Sequence, residues 1–315
     1  MKIAFFCDLD LPNYVQCPEH YKYLHGRHSA TGYYFWILFN GGIDNISLVT
    51  DPLDLHKFDV VIFHYDNRNV IENLNCKKIQ VVTDRPVVEG CDAYIVANQT
   101  FTKQILDSSV IMRYGIENTL NTWINTNKKY YFIHYPPTFG VKQCNAQWPP
   151  TKFKYVGREH TNITDIRTPH FIQECAKHKI DLIFDYANDA NDGTEDVYFC
   201  VRGVRGRSKA TGKDNNSGKY GHRTANRLYQ AWYTRMPGIF NNSPEMAAIK
   251  SSNLDYLTAN SAQEFLHNAI KLREDRDLYF AMIDNGIKKD IINPYANYSI
   301  VVNQWLELFT AMNCI

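Results

Sequence analysis

The stretch "VRGVRGRSKATGKDNNSGKYGHR", residues 201–223, gathers Arg202, Arg205, Arg207, Lys209, Lys213, Lys219 and Arg223 around a single acid, Asp214. Cations at this density suit phosphate. Fixed guanidinium and ammonium groups, together with helix N-terminal amides, stabilise the charge that develops on a departing diphosphate, and they do so without a metal ion. The formal net charge of the whole chain is only +1, so the cationic field is local and suits one phosphate-bearing ligand better than a coat on nucleic acid. A solvated flexible loop and a contact with a polyanionic acceptor are the other readings of the same charge. Two motif tests narrow the chemistry. Gly206 and Gly212 are separated by five residues rather than the four of a Walker phosphate loop, and Lys213 is followed by Asp214 instead of Ser or Thr. G-x-G-x-x-G is absent as well, so the ATPase and nicotinamide readings fall away.

Acids and histidines close several apolar runs. Asp8 and Asp10 follow the first run, His64 and Asp66 close "FDVVIFHYD", and Asp84 with Arg85 closes "IQVVTDRP". If a group transfer inverts configuration, one of Asp8, His64 and Asp84 would be the base that takes the acceptor's proton. Each is equally readable as a cap on the helix that follows. Glu245, in "NNSPEMAAI", follows the run "PGIF" and is placed to hold a ribose or sugar hydroxyl, or to sit as a first-turn acid on the helix dipole. Residues 17–28, "CPEHYKYLHGRH", concentrate Cys17, Glu19, His20, His25 and His28, but no partner motif completes a tetrahedral zinc site. They read as a cleft-lining or plain polar connection, and no metal is expected. The D-x-D run at 8–10 belongs to the first strand rather than to a donor-binding position.

Those residues need a scaffold. With 315 residues and 44% hydrophobic composition the chain supports two ordinary cores of about 150 residues each. Eight cysteines without a C-x-x-C pair, and no signal segment ahead of "MKIAFFCDLD", lead to the expectation of reduced thiols in a cytoplasmic protein. No apolar run approaches the ~20 residues of a membrane span, so membrane contact is expected to be peripheral at most. Aromatics at 14% lean slightly toward a carbohydrate ligand.

The first half alternates short β-rich runs with helical stretches: 2–8, 31–41, 46–51, 58–66, 78–84, 92–98, 99–106 and 129–136. Runs of four to six apolar residues without polar alternation indicate strands buried on both faces, as in a parallel sheet covered by helices. The expected organisation is an acceptor-side Rossmann-like domain over 1–138 and a hinge over 139–152 carrying Pro149 and Pro150. A nucleotide-sugar-binding Rossmann-like domain over 153–297 follows, and then a C-terminal helix over 298–315 with Ser299 as its cap. In the second half, strands are expected at 153–157, 180–186, 196–202 and 237–240, and helices at 169–179, 224–235, 261–275 and 275–290. The fold class is α/β, two doubly wound domains whose ligands bind at the carboxyl ends of the strands.

Three stretches, "YVGRE" (155–159), "DVYFCVRG" (196–203) and "ANRLYQAWYTRMPGIFNNSPEM" (225–246), resemble the GT-B glycosyltransferases of group 1, the GT4-like branch. The resemblance covers roughly residues 150–310 and implies two Rossmann-like domains facing a cleft, with a final helix that crosses back to the first domain. It also implies a UDP- or GDP-sugar donor held mainly by the second domain and a glycan or other hydroxyl acceptor held mainly by the first. Transfer would be metal-independent and retaining, with no other cofactor. On this resemblance Arg158, Arg202, Arg207, Lys209, Lys219, Arg223 and Glu245 are the donor-binding residues. The family's two glutamates fall on His222 and Gln230, and the lysine normally found after the opener's arginine is missing from "GREHTNITDIR". A polyanion- or nucleic-acid-binding protein using 201–223, and a nucleotide-sugar epimerase of the same architecture, are the competing readings.

Overall fold

A computed structural model describes residues 1–7, 28–64, 67–82, 88, 90–96, 129–134, 141–156, 164–184, 193–201 and 225–315. The chain opens with β1 (Ile3–Phe6), α1 (His28–Asn40), β2 (Ile46–Val49), β3 (Val60–His64), α2 (Arg68–Ile71), β4 (Lys77–Val82), β5 (Ala93–Val96) and β6 (Lys129–Phe132). Next come β7 (Lys152–Tyr155), α3 (Pro169–Lys177), β8 (Asp181–Ile183), β9 (Val197–Cys200), α4 (Asn226–Thr234), β10 (Gly238–Phe240) and α5 (Pro244–Ala247). Then β11 (Leu257–Thr258), α6 (Ala262–Glu274), α7 (Arg276–Lys288) and α8 (Ser299–Ala311) complete it. Among the described residues no helix is long and apolar enough to cross a membrane.

Two compact units result. One runs from Met1 to Phe139 and takes in Tyr298–Ile315. Its parallel sheet has the order β2-β1-β3-β4-β5-β6. "IAFF", "VVIFH" and "AYIV" are buried at every position, which is why they lack period-two polarity: helices or loops cover both faces. Alternate residues separate two cores. Ile3, Phe5, Val60, Ile62, Ile79 and Val81 meet Tyr34, Phe35 and Leu38 of α1 and Val301, Trp305, Leu308 and Phe309 of α8. On the other face Ala4, Phe6, Val61, Phe63, Tyr94 and Val96 gather with Ile71 of α2.

Helix α8 starts differently from expectation. Ser299 is its first helical residue rather than its cap; Tyr298 holds the cap position in helical conformation and makes no side-chain cap bond. The Tyr298 ring instead stands edge-on to Trp36, 6.2 Å between centroids, so packing rather than a hydroxyl fixes this end.

The other unit comprises Gly140–Tyr220 and Ala225–Asn297. Its five parallel strands have the order β11-β10-β9-β7-β8. Phe153, Phe199, Phe265, Leu228, Trp232, Ile239 and Tyr279 build its core. Its helices are well punctuated. Thr168, Ser261 and Asp275 each accept a backbone N–H three residues on, at 3.2, 3.1 and 2.9 Å, satisfying amides that a helix start leaves unpaired. Arg235 closes α4 in the left-handed region at φ 61°.

Candidate functional site

In the second sheet the chain order reverses between β7 and β9: β8 lies beyond β7, while β10 and β11 lie beyond β9. A parallel sheet opens its ligand crevice at the carboxyl ends of the strands flanking such a switch point. Here Tyr155 pairs with Phe199, and the two strands run on side by side to buried Val156 and Val201. The sequence-predicted Arg158, Arg202, Arg207, Lys209, Lys219 and Arg223 lie outside the described residues.

Glu245 is described, and it stands at the same edge. After β10 the backbone turns tightly, with the Asn241 N–H donating to the Cys200 carbonyl at 3.3 Å and the Ser243 N–H donating to the Asn241 carbonyl at 2.9 Å. These bonds hold the turn against the end of β9, and Glu245 follows in the first turn of α5. The side chain is 3% exposed. Four buried polar atoms in this part of the second unit have no hydrogen-bond partner: Glu245 Oε2, Ser243 Oγ, Asn226 Oδ1 at the start of α4, and the Tyr256 hydroxyl just before β11. A buried polar atom left unpaired costs on the order of 1–3 kcal/mol, so unpaired atoms on Glu245 and on its neighbours Ser243 and Tyr256 suit hydroxyl or amide groups from outside.

Electrostatics ties these residues together. Burial raises the Glu245 carboxyl to about 7, against the lowering pulls of its own backbone N–H, the Ser243 hydroxyl and the Arg227 guanidinium. Ser243 lies near enough to favour the charged form, yet neither its Oγ nor Glu245 Oε2 completes a full hydrogen bond. Burial, then the charges of Glu245 and Asp255, push the Tyr256 hydroxyl up to about 12. Lys250 Nζ sits 4.3 Å from the Tyr256 ring centroid. The described part of the site is thus an acid, a neighbouring guanidinium from α4, and the hydroxyls of Ser243 and Tyr256.

Gln230, at the position where the resemblance implies glutamate, faces elsewhere. It is 2% exposed, and its Nε2 donates to the Tyr198 hydroxyl at 3.3 Å inside the second unit. Lys154, the register partner of Tyr198, pairs with Glu195 at 3.0 Å, with both side chains almost wholly buried. A polar layer therefore runs under α4, and residue 230 belongs to it.

In the first unit β1, β3 and β4 are neighbours and end at one edge. His64 is the last residue of β3, opposite Val81, and is 1% exposed. Strand alternation puts it on the face of Val60 and Ile62, where α1 packs. Thr31, in the first turn of α1, and Asn67, just before α2, are buried and each has a side-chain atom without a hydrogen-bond partner. Asp8 and Asp84 lie outside the described residues, as do Cys17, Glu19, His20 and His25; His28 opens α1. Sequence reasoning missed Asn226, Arg227, Ser243 and Tyr256. Ser243 carried a faint signal in its place two residues before Glu245, and Arg227 in opening a helix after the basic stretch. Tyr256 carried none, because only tertiary packing brings it to Glu245.

No family model matches the sequence, and no curated protein matches it. Solved structures do. The β-glucosyltransferase of phage T4, solved with its UDP-glucose substrate, superposes with a TM-score of 0.55 at 9% identity, covering 99% of each chain. HepE of Anabaena, solved with UDP, gives 0.52 at 9% identity, covering 99% of this chain and 100% of that one. The chain spans only 60% of the length of its match in the GtfA/B complex and 58% of the pneumococcal O-GlcNAc transferase GtfA, at TM-scores of 0.47 and 0.49. Two parallel-stranded units flanked by helices, aligned along their whole length with the T4 enzyme and HepE, give this chain the GT-B fold.

Proposed function

We propose that this GT-B chain is a glycosyltransferase that moves a sugar from a nucleotide-diphosphate sugar to an acceptor hydroxyl, with the donor held in the second unit. The observation that carries the reading is the buried Glu245 carboxyl, with Oε2 unpartnered and Ser243 and Arg227 beside it, at the strand edge that also contains the β7/β9 switch point. Glu245 and Ser243 would accept hydroxyls of the donor's ribose or sugar. Arg227, with Arg158, Arg202, Arg207, Lys209, Lys219 and Arg223, would neutralise the diphosphate as the bond between the anomeric carbon and the phosphate oxygen breaks. Such a cluster makes a divalent metal unnecessary. Because Gln230 is committed to Tyr198, the acid that the resemblance implies on α4 is supplied by Glu245 after β10 instead.

The acceptor hydroxyl attacks the anomeric carbon, and its proton passes to a base. In an inverting reaction that base is one of Asp8, His64 and Asp84, which belong to the neighbouring strands β1, β3 and β4 or directly follow them. In a retaining reaction the leaving diphosphate takes the proton itself. The T4 enzyme and HepE were solved with UDP-glucose or UDP, which makes UDP-glucose the first donor to try.

Thermal shift with UDP, GDP, ADP and their glucose conjugates tests the reading. One nucleotide should stabilise the protein, by about 2.7 kcal/mol at a hundred times its dissociation constant. Arg227→Ala and Arg207→Ala should each weaken that response. A flat panel refutes the assignment.

A further inference from the structure

Glu245 is enclosed in a way that sets the state in which it waits. From α4 it faces Arg227, and from the segment leading into β11 it faces Tyr256, whose ring carries the Lys250 ammonium. Ser243 and the residue's own N–H complete its described surroundings. Oε2 accepts nothing, and the side chain is all but sealed from solvent. Ionised, the buried carboxylate would have only its own N–H, Ser243 and Arg227 to offset its desolvation, with nothing donating to Oε2.

We infer that donor binding is coupled to ionisation of Glu245: the empty site holds the side chain as a neutral acid, and ligand hydroxyls arriving at Oε2 drive its proton into solvent. This rests on reading the edge as a donor site. The proton leaves the carboxyl for bulk water while the ligand's hydroxyls become charge-assisted donors to the carboxylate, so no other reactant is needed. Burial outweighs Arg227 in the empty site and leaves the carboxyl about half protonated at pH 7, and incoming O–H donors shift that balance toward the carboxylate.

Linkage fixes the sign. The empty form binds the proton and the occupied form does not, so affinity falls as pH drops below about 7 and levels off above it. Between pH 8 and pH 6 a single such proton weakens binding about tenfold. The probe is intact UDP-glucose, or GDP- or ADP-glucose if one of those is the stabilising nucleotide, because its diester phosphates do not titrate in this range.

Calorimetric titrations at pH 6, 7 and 8, in buffers of different ionisation heat, should show the tenfold loss and release of about half a proton at pH 7. Glu245→Gln should bind more weakly and lose the pH dependence. Carboxyl-carbon NMR of the ligand-free protein labelled at glutamate, with Glu245→Gln identifying the signal, should show a midpoint near 7. An affinity that stays level from pH 6 to 8, or a Glu245 carboxyl already ionised at pH 5.5, overturns the coupling. If no nucleotide sugar binds while the NMR midpoint still stands near 7, the donor-site reading fails and the coupling goes with it.

Discussion

Replacing Glu245 with glutamine should make the second unit more stable, and only where the carboxyl would be charged. In the folded chain burial raises this group from 4.5 to about 7. The folded state therefore keeps its proton over a pH range in which the unfolded chain has lost it, and stability falls as pH rises from 4.5 through 7. At 1.36 kcal/mol per pH unit that interval corresponds to roughly 3 kcal/mol. The side chain is only 3% exposed, so solvent screening removes little of it. Glutamine keeps the shape without the charge. Urea titrations of Glu245→Gln and the parent chain should thus differ by about 3 kcal/mol at pH 8 and by less than about 1 kcal/mol at pH 5. A gap of equal size at both pH values would refute the reasoning, because it would come from packing or hydrogen bonding rather than from charge.

Two further substitutions probe the scaffold. Trp305 is fully buried against Phe5, Tyr34 and Phe309, with ring centroids 5.4, 5.2 and 5.3 Å away, so Trp305→Ala should destabilise the first unit by about 3–5 kcal/mol in denaturant titration. Lys154→Met leaves Glu195 charged and alone and should cost about 3–5 kcal/mol, whereas Lys154→Met with Glu195→Leu should recover most of that loss. A double variant as unstable as the single one would mean that the pair is not what Lys154 contributes.

The α/β class was legible in the sequence because runs such as "VVIFH" and "VYFC" are short, apolar and free of alternation, which only a sheet covered on both faces explains. The helices at 169–179, 261–275 and 275–290 were readable from local apolar recurrence, and the caps that start them are local too, each made by Thr168, Ser261 or Asp275 to an amide three residues away. Ser299 shows where that logic fails, since the hydroxyl is present but tertiary packing of Tyr298 on Trp36 decides the boundary. The site was half visible. Glu245 announced itself as an acid after a strand, but its state depends first on burial and then on neighbours such as Arg227, which the fold and not the spacing supplies. Gln230 was read through its position in a motif, and no sequence pattern reports that its amide turns toward Tyr198.

The placement of α8 governs the order in which the molecule can be made. Val301, Trp305, Leu308 and Phe309 fill one face of the first unit's core, yet the ribosome adds them after the entire second unit. Until residues 140–297 have been synthesised, of the described helices only α1 covers that face of strands β1 to β6, and the places of Trp305 and its neighbours stay open. The core of the first unit can therefore be completed only after every residue of the second unit has been made.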